Sequence, residues 1–259
     1  NEIQLLYPLI DPWIPEPGLR LSIPTQWILP STRYHGVVLN VPELRLYRFF
    51  PRIEMVKTYP VGIGDLGSET PEGVYRVIKR EVHPVWVVPP SLRETYGITK
   101  VPPGPKNPLG KYWIGLSRKG YGIHGTSFPW GVGRLVSHGC VRLYPEHIAQ
   151  FFKEVSIGTP VEIIYEPVKV GVKCERVFLE VHPDVYGEVA DMKKYTRERL
   201  QFLGLWDYIS IEQMEAALQE ENGVPVCIGT IQKGGDRTIT HQARDPLRQM
   251  DTFDQLVIN

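Results

Sequence analysis

Proline decides where this chain can build regular structure. A proline ring fixes φ and removes a backbone donor, so dense proline excludes long helices and central strands. The first such stretch, NEIQLLYPLIDPWIPEPGLRLSIPTQWILP, opens the chain and lacks any long periodic run. It predicts a loop-rich piece with one short strand near Leu19–Ile23. The second runs from His83 to Gly110 and contains HPVWVVPPSLRETYG and VPPGPKNPLG. It is long for an idle connection in a compact domain, which makes it a lid or binding-loop candidate, with a linker or surface loop as the alternative.

Between and after these stretches the texture changes. GVVLNVPELRLYRFF and VYRVIKREV have the alternating, β-branched character of strands, with PELR and SETPEG as turns. YPEHIAQFFKEV predicts a helix, with Pro145 in its first turn, Ile148, Phe151, Phe152 and Val155 on one face, and Gly158 as the stop. TPVEIIYEP returns as a strand. Beyond Pro167 the pattern predicts a strand at ERVFLEVHP and a helix near Asp191–Leu203. A second helix opens on the Ser210–Gln213 capping box and runs to Gly223. The last thirty residues are weakly periodic and predict little order.

Bulk properties narrow the function classes. Twenty-nine basic residues balance 29 acidic ones and no basic run stands out, so nucleic acid is excluded as an expected partner. No segment approaches the ~20 apolar residues that span a bilayer. The chain begins at Asn1 rather than Met, which suits either a truncated chain or a processed one, with removal of a signal peptide as one route to it. Of its three cysteines, Cys174 and Cys227 are candidates for a disulfide that leaves Cys140 free; three unpaired thiols are the alternative.

SHGCVR, Ser137 to Arg142, carries the chemistry, with YGIHGTSFPW, Tyr121 to Trp130, upstream of it. Run straight, the chain would hold His124 and Cys140 roughly 50 Å apart at about 3.3 Å per residue. Gly131 and Gly133 allow a return, and the flanking GYGIHG and GRLVSHG predict a hairpin that places the two side by side. A cysteine is nucleophilic as thiolate; an imidazole can take its proton and leave a thiolate–imidazolium pair. The base needs its other nitrogen held, and the Gly125 carbonyl or a neighbour is the expected acceptor. The N–H groups of His138, Gly139 and Cys140 are candidate oxyanion donors, worth about 3 kcal/mol each. Zinc bound by His124, His138 and Cys140 is an alternative, although the spacing matches none of the common paired patterns. Tyr112, Trp113 and Trp130 are candidates to line a substrate groove, with core packing as the alternative.

These residues resemble a known family. YPVGIG, TPEGVY, NPLG, IHGT, SHGCVRLYPEHI and GTPVEIIYEP follow the order of the L,D-transpeptidase (YkuD-like) catalytic domain from about Gly36 to Pro167. The resemblance implies a mainly β (α+β), sandwich-like domain with Cys and His in a cleft under a lid, here residues 34–167. Residues 1–33 resemble the end of a LysM module, and 168–259 form a small α/β extension with no function to carry over. It implies Cys140 as nucleophile and His124 as base, supported by Ser137, His138, Gly139 and Gly125. Arg142 stands where many members have Asn, a variant shared with enzymes of Gram-negative type, and a carboxylate contact is its implied role.

The implied reaction is acyl transfer from a peptidoglycan tetrapeptide stem, without metal or organic cofactor. Cys140 releases the terminal D-alanine, and an amine then resolves the thioester. The amine comes from a second stem or from an outer-membrane lipoprotein; water in its place makes a carboxypeptidase. Acylation by carbapenems and export to the periplasm or cell envelope are implied as well. A sortase also orders His, Cys and Arg, but with wider spacing, and a papain-like protease places Cys before His. A non-catalytic wall-binding protein is the rival from another class.

Overall fold

The computed structural model describes residues 2–11, 14–33, 35–231 and 256–258. It divides into two compact units, Thr32–Tyr165 and Asn1–Ser31 with Glu166–Asn259. The two flanking pieces expected to be separate are thus one unit.

The first unit is built on eight strands. In spatial order they are Val141–Arg142, Gly122–His124, Tyr112–Leu116, Gly73–Val82, Pro160–Ile164, Gly36–Asn40, Arg45–Phe50 and Met55–Pro60. Gly36–Asn40 is buried along its whole length, which is why it reads as a near-continuous apolar run. The ten-residue strand Gly73–Val82 changes partners midway. Gly73 to Arg76 pair with Pro160–Ile164, and Val77 to Val82 pair with Tyr112–Leu116, with a register shift between Val77 and Lys79. Such an irregularity bends a strand and raises its twist. The sheet curls there into two halves, giving the mainly β, sandwich-like architecture with few helices.

Helix Pro145–Glu154 forms where its pattern predicts and buries Ile148 and Phe151. It stops before Val155, whose extended backbone ends it earlier than Gly158. The hairpin expected on either side of Gly131 does not form. Gly122–His124 pairs in parallel with Val141–Arg142, while Leu135–Ser137 leaves to pair with Ile63–Gly64. Parallel neighbours need a crossover of a dozen or more residues, and the segment between His124 and Val141 supplies it.

The second unit carries a three-stranded antiparallel sheet, Val168–Lys173, Arg176–Val181 and Val226–Thr230. Only the middle strand is evident from sequence. Helices Met192–Phe202 and Ile211–Glu220 cover apolar residues of this sheet, among them Val170, Leu179 and Ile228, using Leu200, Met214 and Ala217. The second starts on its expected cap, Ser210, which accepts from the Gln213 N–H; the first starts on Asp191, which accepts from the Lys194 N–H. The second ends at Glu221, which takes the left-handed conformation, rather than at Gly223. The N-terminal strand is Gln26–Ile28, not Leu19–Ile23. All three cysteines are free. Cys174 sits at a hairpin tip while Cys227 is in register with Phe178. That offset is about 13 Å along a strand, beyond the reach of a disulfide. The expectation for the last thirty residues falls outside the described residues, apart from the backbone of Leu256–Ile258. Among the described residues no helix is long and apolar enough to cross a membrane.

Candidate active site

The parallel pair of strands brings the two halves of the motif together. Ile123 is in register with Val141 and His124 with Arg142, so Cys140, one residue before Val141, lies level with Gly122, two positions before His124 on the neighbouring strand. Cys140 and His124 line one cleft of ≈ 700 Å³, with Ser137, His138, Arg142 and Trp113. The proline-rich segment supplies another wall through Trp86, Leu92 and Leu109. It is neither a linker nor an idle loop. Asn107, fully buried, fastens it by donating to the carbonyls of Pro84 at 2.8 Å, Pro102 at 3.2 Å and Val101 at 3.3 Å, and by accepting from the Leu109 N–H at 2.9 Å.

His124 is buried, with Nδ1 2.5 Å from the Gly125 carbonyl oxygen. A carbonyl only accepts, so Nδ1 carries the proton and Nε2 keeps its lone pair. The Trp113 ring stacks on the imidazole at 5.6 Å and 24°. Burial pulls the His124 pKa down to about 3, against the Gly125 bond that favours the cation, and Arg142 adds to the fall. Burial pushes the Cys140 thiol up, while the Gly122 N–H and Arg142 draw it partly back. The thiol donates to the Gly120 carbonyl at 3.5 Å, and among the described residues no hydrogen bond joins it to His124. Both shifts favour the thiol and the neutral imidazole. The thiolate–imidazolium pair expected from sequence is disfavoured because desolvation penalises each charge.

The turn between Ser137 and Cys140 is held from inside. Ser137 Oγ donates to the Cys140 carbonyl at 2.5 Å and accepts the Gly139 N–H at 3.2 Å. Gly139 has φ +92°, and a Cβ there would lie 2.5 Å from the Tyr121 ring. That position is open to glycine alone. Of the three expected donors, the Gly139 N–H is the one already bonded, to Ser137. The N–H groups of His138 and Cys140 make no hydrogen bond among the described residues.

Arg142 faces the cleft with its Nε buried and unpartnered. Such a cation invites an anion from outside the protein. Trp130 is 68% exposed and lies outside the cleft lining, and Tyr112 lines a separate cavity and packs on Phe152 at 4.8 Å. Neither lines this cleft as expected; Trp113 does. His124, His138 and Cys140 do not bring ligand atoms together within 4.8 Å. Sequence reasoning missed Lys79, Glu81 and Lys119 on the cleft wall, the Asn107 staple and the buried Thr70 beside the turn. The TPEGVY motif was the one signal for Thr70.

The sequence profile of the YkuD L,D-transpeptidase catalytic domain matches residues 34–163. The chain belongs to this family. It is an enzyme of the L,D-transpeptidase class. The "Probable L,D-transpeptidase ErfK/SrfK" of Escherichia coli (strain K12) is 37% identical over 237 residues, covering 86% of this chain and 76% of that protein. The "Probable L,D-transpeptidase YbiS" of the same strain is 39% identical over 183 residues, or 68% of this chain and 60% of that one. Among solved structures, an L,D-transpeptidase from Mycobacterium smegmatis aligns over 51% of this chain and 58% of its own, at 23% identity and a TM-score of 0.36. The family match starts at residue 34, so the LysM likeness of the first 33 residues of this L,D-transpeptidase lies outside it.

Proposed function

We propose that the protein is a cysteine-dependent L,D-transpeptidase that acts on peptidoglycan tetrapeptide stems in the cell envelope. One observation carries this reading: His124 on one strand and Cys140 just before the parallel strand beside it line the same cleft, and among the described residues nothing binds His124 Nε2. In the first step the Cys140 thiol proton passes to His124 Nε2 as sulfur bonds to the carbonyl carbon of the third stem residue. The C–N bond to D-alanine then breaks, and the imidazolium returns its proton to the leaving amine. An incoming amine loses its proton to His124, attacks the thioester carbon and expels the sulfur, which regains a proton. Burial of both groups supports concerted proton movement rather than a standing ion pair.

Arg142 supports a substrate with a carboxylate beside the scissile bond, because among the described residues it makes no ion pair and its buried Nε has no hydrogen-bond partner. A second stem as acceptor gives a cross-link between third residues. A lipoprotein amine is the alternative acceptor and anchors that protein to the wall. The test is mass spectrometry of the protein incubated with a disaccharide-tetrapeptide, beside Cys140→Ala. The expected result is a Cys140 acyl adduct with loss of D-alanine, absent in the variant. Turnover that survives Cys140→Ala rules out the nucleophile; tight binding of the stem without turnover in either protein leaves a wall-binding scaffold.

A further inference from the structure

The oxyanion hole raises a question that Cys140 and His124 do not answer: what aims its donor? With the Gly139 N–H committed to Ser137, the Cys140 N–H next to the nucleophile is left, and among the described residues nothing binds it. Its direction is set by the Gly139–Cys140 peptide plane. In a trans peptide the carbonyl and the following N–H point in opposite directions, so whatever holds the Gly139 carbonyl orients the Cys140 N–H. That holder is Thr70. Its hydroxyl donates to the Gly139 carbonyl at 3.2 Å and accepts the Gly64 N–H at 2.9 Å. Thr70 is 3% exposed and lies where three segments meet. Gly64 is in register with Ser137, and a Cβ on Gly64 would lie 2.2 Å from the Ser68 carbonyl oxygen. A Cβ on Gly139 would lie 3.0 Å from the Glu69 carbonyl oxygen. The loop that carries Thr70 is therefore packed against both the strand and the nucleophile turn, with no room to drift.

We propose that Thr70 is a positioning residue for acyl transfer: its hydroxyl bridges the Gly64 N–H and the Gly139 carbonyl and so turns the Cys140 N–H toward the developing oxyanion. This rests on the cysteine acyl-transfer reading given above. The hydroxyl never touches substrate; it acts through one peptide plane. Ser137 complements it by removing the Gly139 N–H from competition and tying down the carbonyl on the far side of Cys140.

An oxyanion donor matters for attack on a carbonyl and is irrelevant to displacement of iodide at a saturated carbon. This separates aiming from mere support. Thr70→Val keeps the shape and removes the hydroxyl; Thr70→Ser keeps the hydroxyl. For the valine variant we expect maximal D-alanine release from a disaccharide-tetrapeptide to fall roughly 10- to 100-fold, below the ~100- to 1,000-fold loss on deleting a donor outright. KM and the rate of Cys140 alkylation by iodoacetamide should stay within about twofold, because neither uses the donor. The serine variant should recover most of the loss. Thr70→Ala, which adds no atoms, replaces the valine variant if that does not fold. Equal slowing of release and alkylation, or unchanged release, overturns the proposal while wild type still forms its adduct. Absence of an adduct in wild type removes the acyl-transfer reading itself, and this proposal with it.

Discussion

Desolvation favours the neutral forms of Cys140 and His124, raising the thiol and lowering the imidazole to about 3. The sign of the pH dependence follows. Alkylation tracks the thiolate fraction, so a raised pKa moves the rise to higher pH. Carboxamidomethylation of Cys140, resolved from Cys174 and Cys227 by peptide mass spectrometry, should still be climbing above the free-thiol value of about 8.5. Arg142→Gln should move the rise further up, since Arg142 draws the thiol down. A plateau already reached near pH 7 would mean a standing thiolate and sink this account. Sequence identified these two residues because motif and chemistry are local. It missed the protonation states because these depend on walls, such as Trp113 over His124, built from other parts of the chain.

Among the elements, the proline-rich segment His83–Gly110 depends most on one side chain. Its own regular structure is slight: strands Trp86–Val87 and Lys100–Val101, a short helical turn, and the edge contact of Trp86 with Tyr96 at 5.3 Å. Asn107 ties together carbonyls from both ends of it. Asn107→Ala should cost about 1–3 kcal/mol in urea unfolding, as buried carbonyls lose donors. It should also speed protease cutting within residues 84–101 several-fold. An unchanged cutting pattern would show that the wall stands without its staple. The helices were legible because caps and apolar spacing lie in adjacent residues, as Ser210 shows. Strand Val168–Lys173 was not. Its alternation suggests a solvent-facing Lys169, yet that lysine is fully buried.

At the scale of the whole molecule, that lysine helps explain why the first 31 residues belong with the chain's far end. Lys169 and Glu180 are both fully buried and paired at 2.6 Å. Between them they grip one residue of the N-terminal strand: Lys169 donates to the Ile28 carbonyl at 2.7 Å, and the Ile28 N–H donates to Glu180 at 2.6 Å. His182 adds a contact to the same carboxylate at 2.8 Å. Burial works against the Glu180 charge, but Lys169 and His182 more than offset it and hold the carboxyl below its usual range. Lys169→Met strands that carboxylate and should cost roughly 3–5 kcal/mol in urea unfolding. Adding Glu180→Gln, which keeps an acceptor for Ile28 without the charge, should return part of the loss. A cost under about 1 kcal/mol for Lys169→Met would mean that the pair is solvated and holds nothing. By itself the sequence determined the family, the candidate nucleophile and base, the helices with the Ser210 cap, and the segment that walls the cleft. All of these are written in neighbouring residues. Tertiary structure alone decided the parallel pairing beside His124 and Cys140, the union of the two flanks, the desolvation that favours their neutral forms and the place of Thr70. Each of these depends on which distant segments come into register, and local periodicity carries no information about that.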